Sequence, residues 1–247
     1  MNLLLFEQHE QNADRLLLTD HRAKHIHTVL KLNVGDTLRI GMVHGKMGRG
    51  KIVSMEDNAV ELEVQLDCAP STPPDVELIL ALPRPIMLQR ILKQATVMGV
   101  RRFHLIRSAK VEKSFFQTPV LEPRKIKELL LEGLTQAGDT CLPEVVIHHR
   151  FKPFVQDVVP TLTGQGLLAH PEVIAELPDV YPKSEDEKKI LLAVGPEGGW
   201  NDFEVENFLT QGFAGFSMGK RILHVDTAVV ALLAQLELLR TLQQAHQ

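Results

Sequence analysis

Apolar and polar positions alternate in two different rhythms along this chain, and the change falls near residue 70. Up to that point the strand rhythm dominates. Thr37 to Gly41, Lys51 to Met55 and Ala59 to Leu66 alternate with period two, and glycines separate several of the segments. The last has Val60, Leu62, Val64 and Leu66 on one side and Glu61, Glu63 and Gln65 on the other, which predicts a half-buried strand. One helix precedes them, His21 to Leu30, with Ile26, Val29 and Leu30 at core spacing. Ala69-Pro70-Ser71-Thr72-Pro73-Pro74-Asp75 has linker composition and sets a domain boundary between residues 1–70 and 74–247.

Beyond the linker, short apolar runs alternate with helical periods. Val76 to Leu82 predicts a strand, and Ile86 to Met98 a helix with a stripe of Leu88, Ile91, Leu92 and Ala95. That stripe leaves Arg90, Lys93, Gln94 and Val97 on another side. Phe103 to Ile106, Val145 to Ile147, Gly166 to Ala169, Leu191 to Val194 and Phe213 to Phe216 predict further strands. Pro123 to Ala137, with Gly138 as its cap, and Thr227 to Leu242 predict two more helices. This alternation argues for an α/β fold with a parallel sheet and helices on both faces. Tyr181 to Lys189 is polar and charged, the composition of a mobile loop.

One stretch stands out. The buried run Leu191 to Val194 stops in Gly195-Pro196-Glu197-Gly198-Gly199-Trp200, whose glycines permit positive φ and close approach of backbone to a ligand. Asn201 and Glu204 then have the spacing of a capping box, with Phe203, Phe208 and Leu209 as apolar positions of the helix that follows. A tight turn between strand and helix is the plainer alternative. Two other strands also run into distinctive loops, Leu167-Leu168-Ala169-His170-Pro171 and Phe216 to Thr227. If the three strands are parallel neighbours, their loops converge on one pocket.

Composition changes this picture little. The chain has 247 residues, 44% apolar and 23% charged, enough for one large domain or two smaller ones. It contains no apolar run long enough for a membrane span, and its start lacks the pattern of a signal peptide, so a cytoplasmic protein with no membrane partner is expected. Cys68 and Cys141 are far apart and indicate neither a disulfide framework nor a thiolate zinc site. His21, His25 and His27 do not share a helical face and have no acidic partner nearby, so no metal site is expected and a partly basic face is preferred.

Charge distribution matters more. Net charge is −4, yet residues 84–128 carry 11 basic and 3 acidic side chains. Arg84, Arg90, Lys93, Arg101, Arg102, Arg107, Lys110, Lys113, Arg124, Lys125 and Lys127 form this block, the pattern expected of a polyanion footprint on an acidic protein.

Gly195-Pro196-Glu197-Gly198-Gly199, Met218-Gly219-Lys220-Arg221-Ile222-Leu223 and Leu168-x-His170-Pro171, in that arrangement, resemble the methyltransferases of the SPOUT superfamily. The similarity is greatest to the RsmE family, which methylates N3 of a uridine in 16S ribosomal RNA, and it covers nearly the whole chain. Lys93-Gln94 and Gly99-Val100 fit that family's first-helix pattern. The resemblance implies an N-terminal PUA-like β-barrel that binds RNA, a SPOUT domain with a C-terminal trefoil knot, and a homodimer whose interface supports the active site. It implies S-adenosylmethionine as cofactor, held by Leu168, Ala169, His170 and Pro171, by Val194, Gly195, Pro196, Glu197, Gly198 and Gly199, and by Met218, Gly219, Ile222 and Leu223.

The implied partner is 16S ribosomal RNA, free or in the 30S subunit. Arg221, His224, Asp226 and Glu197 are the candidates for catalysis, and Arg22, His25, Arg84, Arg90, Lys93 and Gln94 for RNA contact. Each base candidate has a structural alternative, Asp226 as a helix cap and Glu197 as an orienter of its loop among them. The chain departs from the family in having His224-Val225-Asp226-Thr227 for Arg-Thr-Glu-Thr, Asp139 for an arginine after Gly138, and Met98 for an acidic residue; all three changes are expected on the RNA side. A SPOUT-fold protein with a different RNA target, or one that binds RNA without transferring a methyl group, is the competing reading.

Overall fold

The computed structural model describes residues 2–56, 58–70, 76–183 and 189–245. Residues 71–75 of the expected linker and 184–188 of the expected loop lie outside them. Two compact units result: Met1–Thr72 with Leu131–Leu142, and Pro73–Leu130 with Pro143–Gln247.

The first unit is built on a six-stranded sheet. Its strands are β1 (Leu4–Phe6), β2 (Gln11–Asn12), β3 (Arg15–Leu18), β4 (Thr37–Met42), β5 (Met47–Glu56) and β6 (Ala59–Cys68), in the order β1-β4-β5-β6-β3-β2. β1 runs parallel to β4, and the other pairs are antiparallel. Alternation in β6 buries Val60, Leu62 and Val64 against Leu4, Phe6, Leu16, Leu18, Ile40 and Ile52, as the pattern predicts. Gly48 is required where β5 bulges: a Cβ there would lie 1.9 Å from the Gln65 carbonyl oxygen.

Helix α1 (His21–His25) is capped by Asp20, which accepts from the Arg22 amide at 2.8 Å, and continues as a π-helical turn over Ile26–Leu30. That wider turn carries Val29 out of the core stripe expected for it, and Val29 is exposed. Arg22 corrects a second expectation. Its guanidinium pairs with Glu10 and with Asp20 and donates to the Leu5 carbonyl at 2.9 Å, which spends it on tying the helix to the sheet rather than on a ligand. These partners hold its pKa above the usual value despite burial. Nearby His25 is partly buried, with its Nε2 enclosed and without a hydrogen-bond partner among the described residues.

The second unit contains the parallel sheet. β7 (Val76–Ala81), β8 (Arg102–Ile106), β9 (Glu144–His148), β10 (Gln165–Ala169), β11 (Ile190–Val194) and β12 (Ala214–Phe216) lie in the order β12-β10-β11-β7-β8-β9, every pair parallel. β7 and β11 are buried along their whole length, which explains the apolar runs Leu78 to Ala81 and Ile190 to Val194. α2 (Pro85–Val97) buries the predicted stripe of Leu88, Ile91, Leu92 and Ala95. α3 (Pro123–Ala137) follows; from Leu131 onward it belongs to the first unit, where Leu134 packs with Leu3, Leu5 and Val43. Gly138, at φ +73°, ends it by donating to the Leu134 carbonyl at 2.8 Å.

Short helices α4 (Phe151–Pro153) and α5 (Leu177–Val180) precede α6 (Asp202–Thr210) and α7 (Val225–Ala245). Of the apolar positions expected on α6, Phe208 is buried, while Phe203 and Leu209 face outward because so short a helix presents only a narrow face to the sheet. No described helix is long and apolar enough to cross a membrane.

Polar side chains also run through this sheet. Glu77, only 3% exposed, receives Lys189 Nζ at 2.7 Å and His104 Nε2 at 3.0 Å, and His104 Nδ1 lies 3.1 Å from His148 Nε2. Burial opposes the Glu77 charge, but these donors outweigh it and bring its pKa from the ordinary 4.5 to about 2. Burial, with His104 and His149 alongside, pushes His148 down to about 4. Both shifts make the fold acid-sensitive. The unfolded chain protonates His148 first, as pH falls through 6.5, and the stability contributed by ionised Glu77 is present above 4.5 and lost as pH falls toward 2. The urea midpoint is therefore expected to decline from pH 7 through pH 4, with His148→Phe flattening the upper part of the curve. A level wild-type profile over that interval would contradict the assignment.

Candidate functional site

The carboxyl ends of β10, β11 and β12 lie side by side, and the three loops predicted to converge do so around one cavity of about 140 Å³. Open parallel sheets bind ligands at this edge because the loops leave the strands together there while the strand bodies stay fixed. Ala169, His170 and Pro171 form one wall, Val194 to Glu197 with Gly199 another, and Met218, Gly219, Arg221, Ile222 and Leu223 a third. The first turns of α7 close the floor with Val225, Ala228 and Leu232.

Two residues expected in this set lie elsewhere. Leu168 is buried within β10, and Gly198 turns its carbonyl to Lys110 instead. Trp200, Phe216 and Ser217 line the cavity and were not expected to. Trp200 follows the glycine loop directly, and the spacing of Val225, Ala228 and Leu232 is helical, so both signals stand in the sequence.

The glycine loop is held from outside the cavity. Gly199 sits at φ +70°, which a side chain would strain, and its amide donates to the Pro196 carbonyl at 2.8 Å. Lys110, in the loop after β8, donates to the Gly198 carbonyl at 2.7 Å. Glu204, 2% exposed, closes the capping box with Asn201 and also accepts from the Ala109 amide at 2.7 Å and the Ser108 hydroxyl at 3.2 Å. On the other side Glu197 Oε1 accepts from the Arg84 amide at 3.1 Å. Backbone geometry at the cavity is thus set by side chains that do not line it, apart from Glu197.

Two residues of the lining have ring nitrogens that are buried without a hydrogen-bond partner among the described residues: Trp200 Nε1 and His170 Nδ1. Such groups are costly to leave unpaired and favour a ligand that bonds to them. Most of the remaining wall is apolar. Arg221 stands exposed at the mouth and brings a fixed positive charge.

The candidate catalytic residues separate accordingly. Glu197 and Arg221 line the cavity, whereas His224 and Asp226 are not among its walls. Asp226 pairs with Arg90 at 3.2 Å and accepts from the Thr227 amide at 3.0 Å, at the head of α7. Arg84 and Gln94 are exposed on or beside α2, and Lys93 is partly buried. Of the departures expected on the RNA side, one is buried and one is half-buried. Asp139 is buried and accepts from the Thr140 and Cys141 amides, and Met98 contributes to a small enclosed space with Val76 and Tyr181. The basic block is also partly neutralised, since Arg102 bonds Glu144 and Glu77 while Arg124 and Lys125 bond Glu128.

A family profile described as RNA methyltransferase domain matches residues 70–237. Ribosomal RNA small subunit methyltransferase E of Treponema pallidum is 30% identical over 241 residues, covering 95% of this chain and 90% of its own. The protein of the same name in Bacillus subtilis is 24% identical, with 96% of each chain covered. Among solved structures, ribosomal RNA small subunit methyltransferase E of Neisseria gonorrhoeae, bound to S-adenosyl methionine, has the same fold, with a TM-score of 0.79 at 19% identity over 97% of this chain and 98% of its own. A probable rRNA-methyltransferase from Porphyromonas gingivalis also scores 0.79, at 21% identity over the full length of both chains.

Proposed function

The chain belongs to the ribosomal RNA small subunit methyltransferase E family, whose RNA methyltransferase domain it carries, and on that footing we propose that it methylates N3 of a uridine in 16S ribosomal RNA with S-adenosylmethionine as donor. The observation that carries the reading is the cavity itself: three adjacent parallel strand ends enclosing a largely apolar space, with two unpartnered ring nitrogens on residues of its wall.

The residues present fit such a cofactor. Ile222, Leu223, Val225 and Leu232 offer apolar walls to an adenosine, Trp200 Nε1 offers a donor, and His170 Nδ1 takes either role according to its tautomer. Loop amides around Gly195 and Gly219 supply further donors without demanding charge, as suits an uncharged nucleoside. When bound, the cofactor supplies a methyl group already activated on a sulfonium. The chain must then align the acceptor nitrogen and ease removal of its imide proton. Glu197 is the carboxylate best placed to accept that proton, since its other contact is the Arg84 amide. Arg221 faces the same space and stabilises the negative charge that develops on the uracil ring. Asp226, engaged by Arg90, is read as a positioning residue at the start of α7, and His224 as an exposed contact for RNA.

The remaining elements follow the family reading. We take residues 1–70 as a PUA-like RNA-binding barrel and 74–247 as the SPOUT domain, with a trefoil knot in its C-terminal part. His25 in the former, and Arg84, Arg90, Lys93 and Gln94 on or beside α2, are assigned to RNA. α2 and α7 pack on one another and leave Ile86, Val97, Leu238 and Leu242 exposed, an apolar surface that a second copy would cover in a homodimer. The enzyme would work in the cytoplasm on free RNA or on 30S subunits.

The chain's one tryptophan lines the cavity, so cofactor binding has a built-in reporter. Titration with S-adenosylmethionine is expected to change Trp200 emission saturably, with calorimetry giving the same Kd. Absence of both signals would remove the enzyme reading and leave a SPOUT-fold RNA-binding protein. Mass-spectrometric mapping of 30S subunits after incubation with cofactor and enzyme then tests the nucleotide: an unmethylated uridine N3 would overturn the target.

A further inference from the structure

A second cavity, of about 390 Å³, opens where β8 and β9 end. Its walls are the loop at Arg107–Ala109, the segment His149–Pro153 and, from the head of α6, Asn201, Phe203 and Glu204. Arg107, Arg150 and Lys152 bring positive charge, and none of them pairs with a carboxylate among the described residues. Glu204 is the one acid in the lining, but its oxygens are taken by Ser108, the Ala109 amide and Asn201. The field presented to a ligand is therefore positive.

The same cavity has an aromatic side. Phe203 is 51% exposed, with its ring centroid 6.3 Å from that of Phe151. A solvated phenylalanine beside three unpaired cations is an unusual surface unless something stacks on it. Single-stranded nucleic acid has the matching chemistry: a base for the ring and a phosphate for the guanidinium and ammonium groups. An acidic peptide would use the cations and leave Phe203 idle. Location adds to the argument, because Lys110 and Glu204 fasten the loop after β8 to the glycine loop of the first cavity. What binds at one stands beside the other.

We propose that this second cavity holds one nucleotide of the RNA strand flanking the target, with its base on Phe203 and its phosphate between Arg150 and Lys152. The identity of the RNA rests on the methyltransferase reading; the preference of the cavity for a nucleotide does not.

The test uses the full chain and a fluorescein-labelled single-stranded RNA of twelve nucleotides, followed by anisotropy at several salt concentrations. Phe203→Ala is expected to weaken binding by about 5- to 100-fold, and Phe203→Tyr to leave it within about twofold. The double variant Arg150→Ala, Lys152→Ala is expected to reduce the slope of log K against log salt by about 1.4. S-adenosylmethionine affinity should be unchanged in all of them. Wild-type RNA affinity and slope in these variants would overturn the proposal, as would equal competition by poly-glutamate with no effect of Phe203→Ala. A measurement independent of any variant is photo-crosslinking of 4-thiouridine RNA to the unaltered protein. Adducts in residues 149–153 or 201–204 support the site, and adducts confined to other segments reject it. Loss of RNA binding in variants of a protein that methylates nothing would leave this site standing and the methyltransferase reading fallen; an active enzyme with unaltered variants would do the reverse.

Discussion

Replacing Arg221 with alanine is expected to lower kcat for methylation of 30S subunits by about 10²- to 10³-fold, the usual effect of removing one preorganised charge from a reacting centre. Affinity for S-adenosylmethionine should change no more than about threefold, because the walls assigned to the adenosine are apolar side chains and loop backbone that Arg221 does not position. Arg221 is exposed and lines the cavity from the loop before α7, whereas Val225, Ala228 and Leu232 come from α7 itself. Arg221→Lys keeps the charge but loses the planar fork, and partial recovery is the expected result. Single-turnover kinetics with radiolabelled cofactor separates chemistry from product release. An alanine variant within threefold of wild-type kcat would move the transition-state charge away from Arg221.

Glu77→Ala is expected to be the most damaging single change to stability, at about 3–5 kcal/mol, the cost of removing one partner from a buried ion cluster. The variant leaves buried His104 and part-buried Lys189 without the carboxylate that both bond. Glu77→Gln keeps the shape and one acceptor and should cost less. Urea unfolding followed by circular dichroism gives the difference directly. Cofactor affinity of the folded fraction should be normal, since Glu77 sits near the amino end of β7 and the ligand loops leave the opposite edge of the sheet. A well-folded Glu77→Ala protein with unaltered midpoint would show that the cluster contributes nothing net.

How far each part could be read beforehand follows from the range of the forces that fix it. β6 and α2 were legible because each has one buried face, so burial writes its period into neighbouring residues. β1 was not: three residues long and buried throughout, it has no alternation to show, and its parallel pairing to β4 joins residues far apart in sequence. Leu131–Leu142 reads as part of a regular helix and its cap, and nothing local announces that Leu134 packs with Leu3 and Val43. In the candidate site, the three loops were legible because each ends a buried apolar run with glycine or proline. Their fastenings were hidden, since the bond from Lys110 to Gly198 spans 88 residues and looks from sequence like one more charge in a basic block. Arg22 shows the converse error: a cation on a polar helix face looked available, and only the fold reveals that Glu10 and Asp20 claim it.

The strand order β12-β10-β11-β7-β8-β9 has a kinetic consequence. Its middle pair joins Val76 to Ile190, so the centre of the sheet cannot form until more than a hundred intervening residues have been made. Parallel pairing of such remote segments requires loop closure before any contact rewards it, which slows folding and leaves β7 and its apolar neighbours uncovered meanwhile. On the ribosome, the antiparallel strands of Met1–Thr72 emerge first and have most of their partners at hand, while the cavity waits for Phe216 to Leu232 at the end of the chain. Synthesis therefore passes through a long interval in which the RNA methyltransferase domain is present in part and its pocket does not exist.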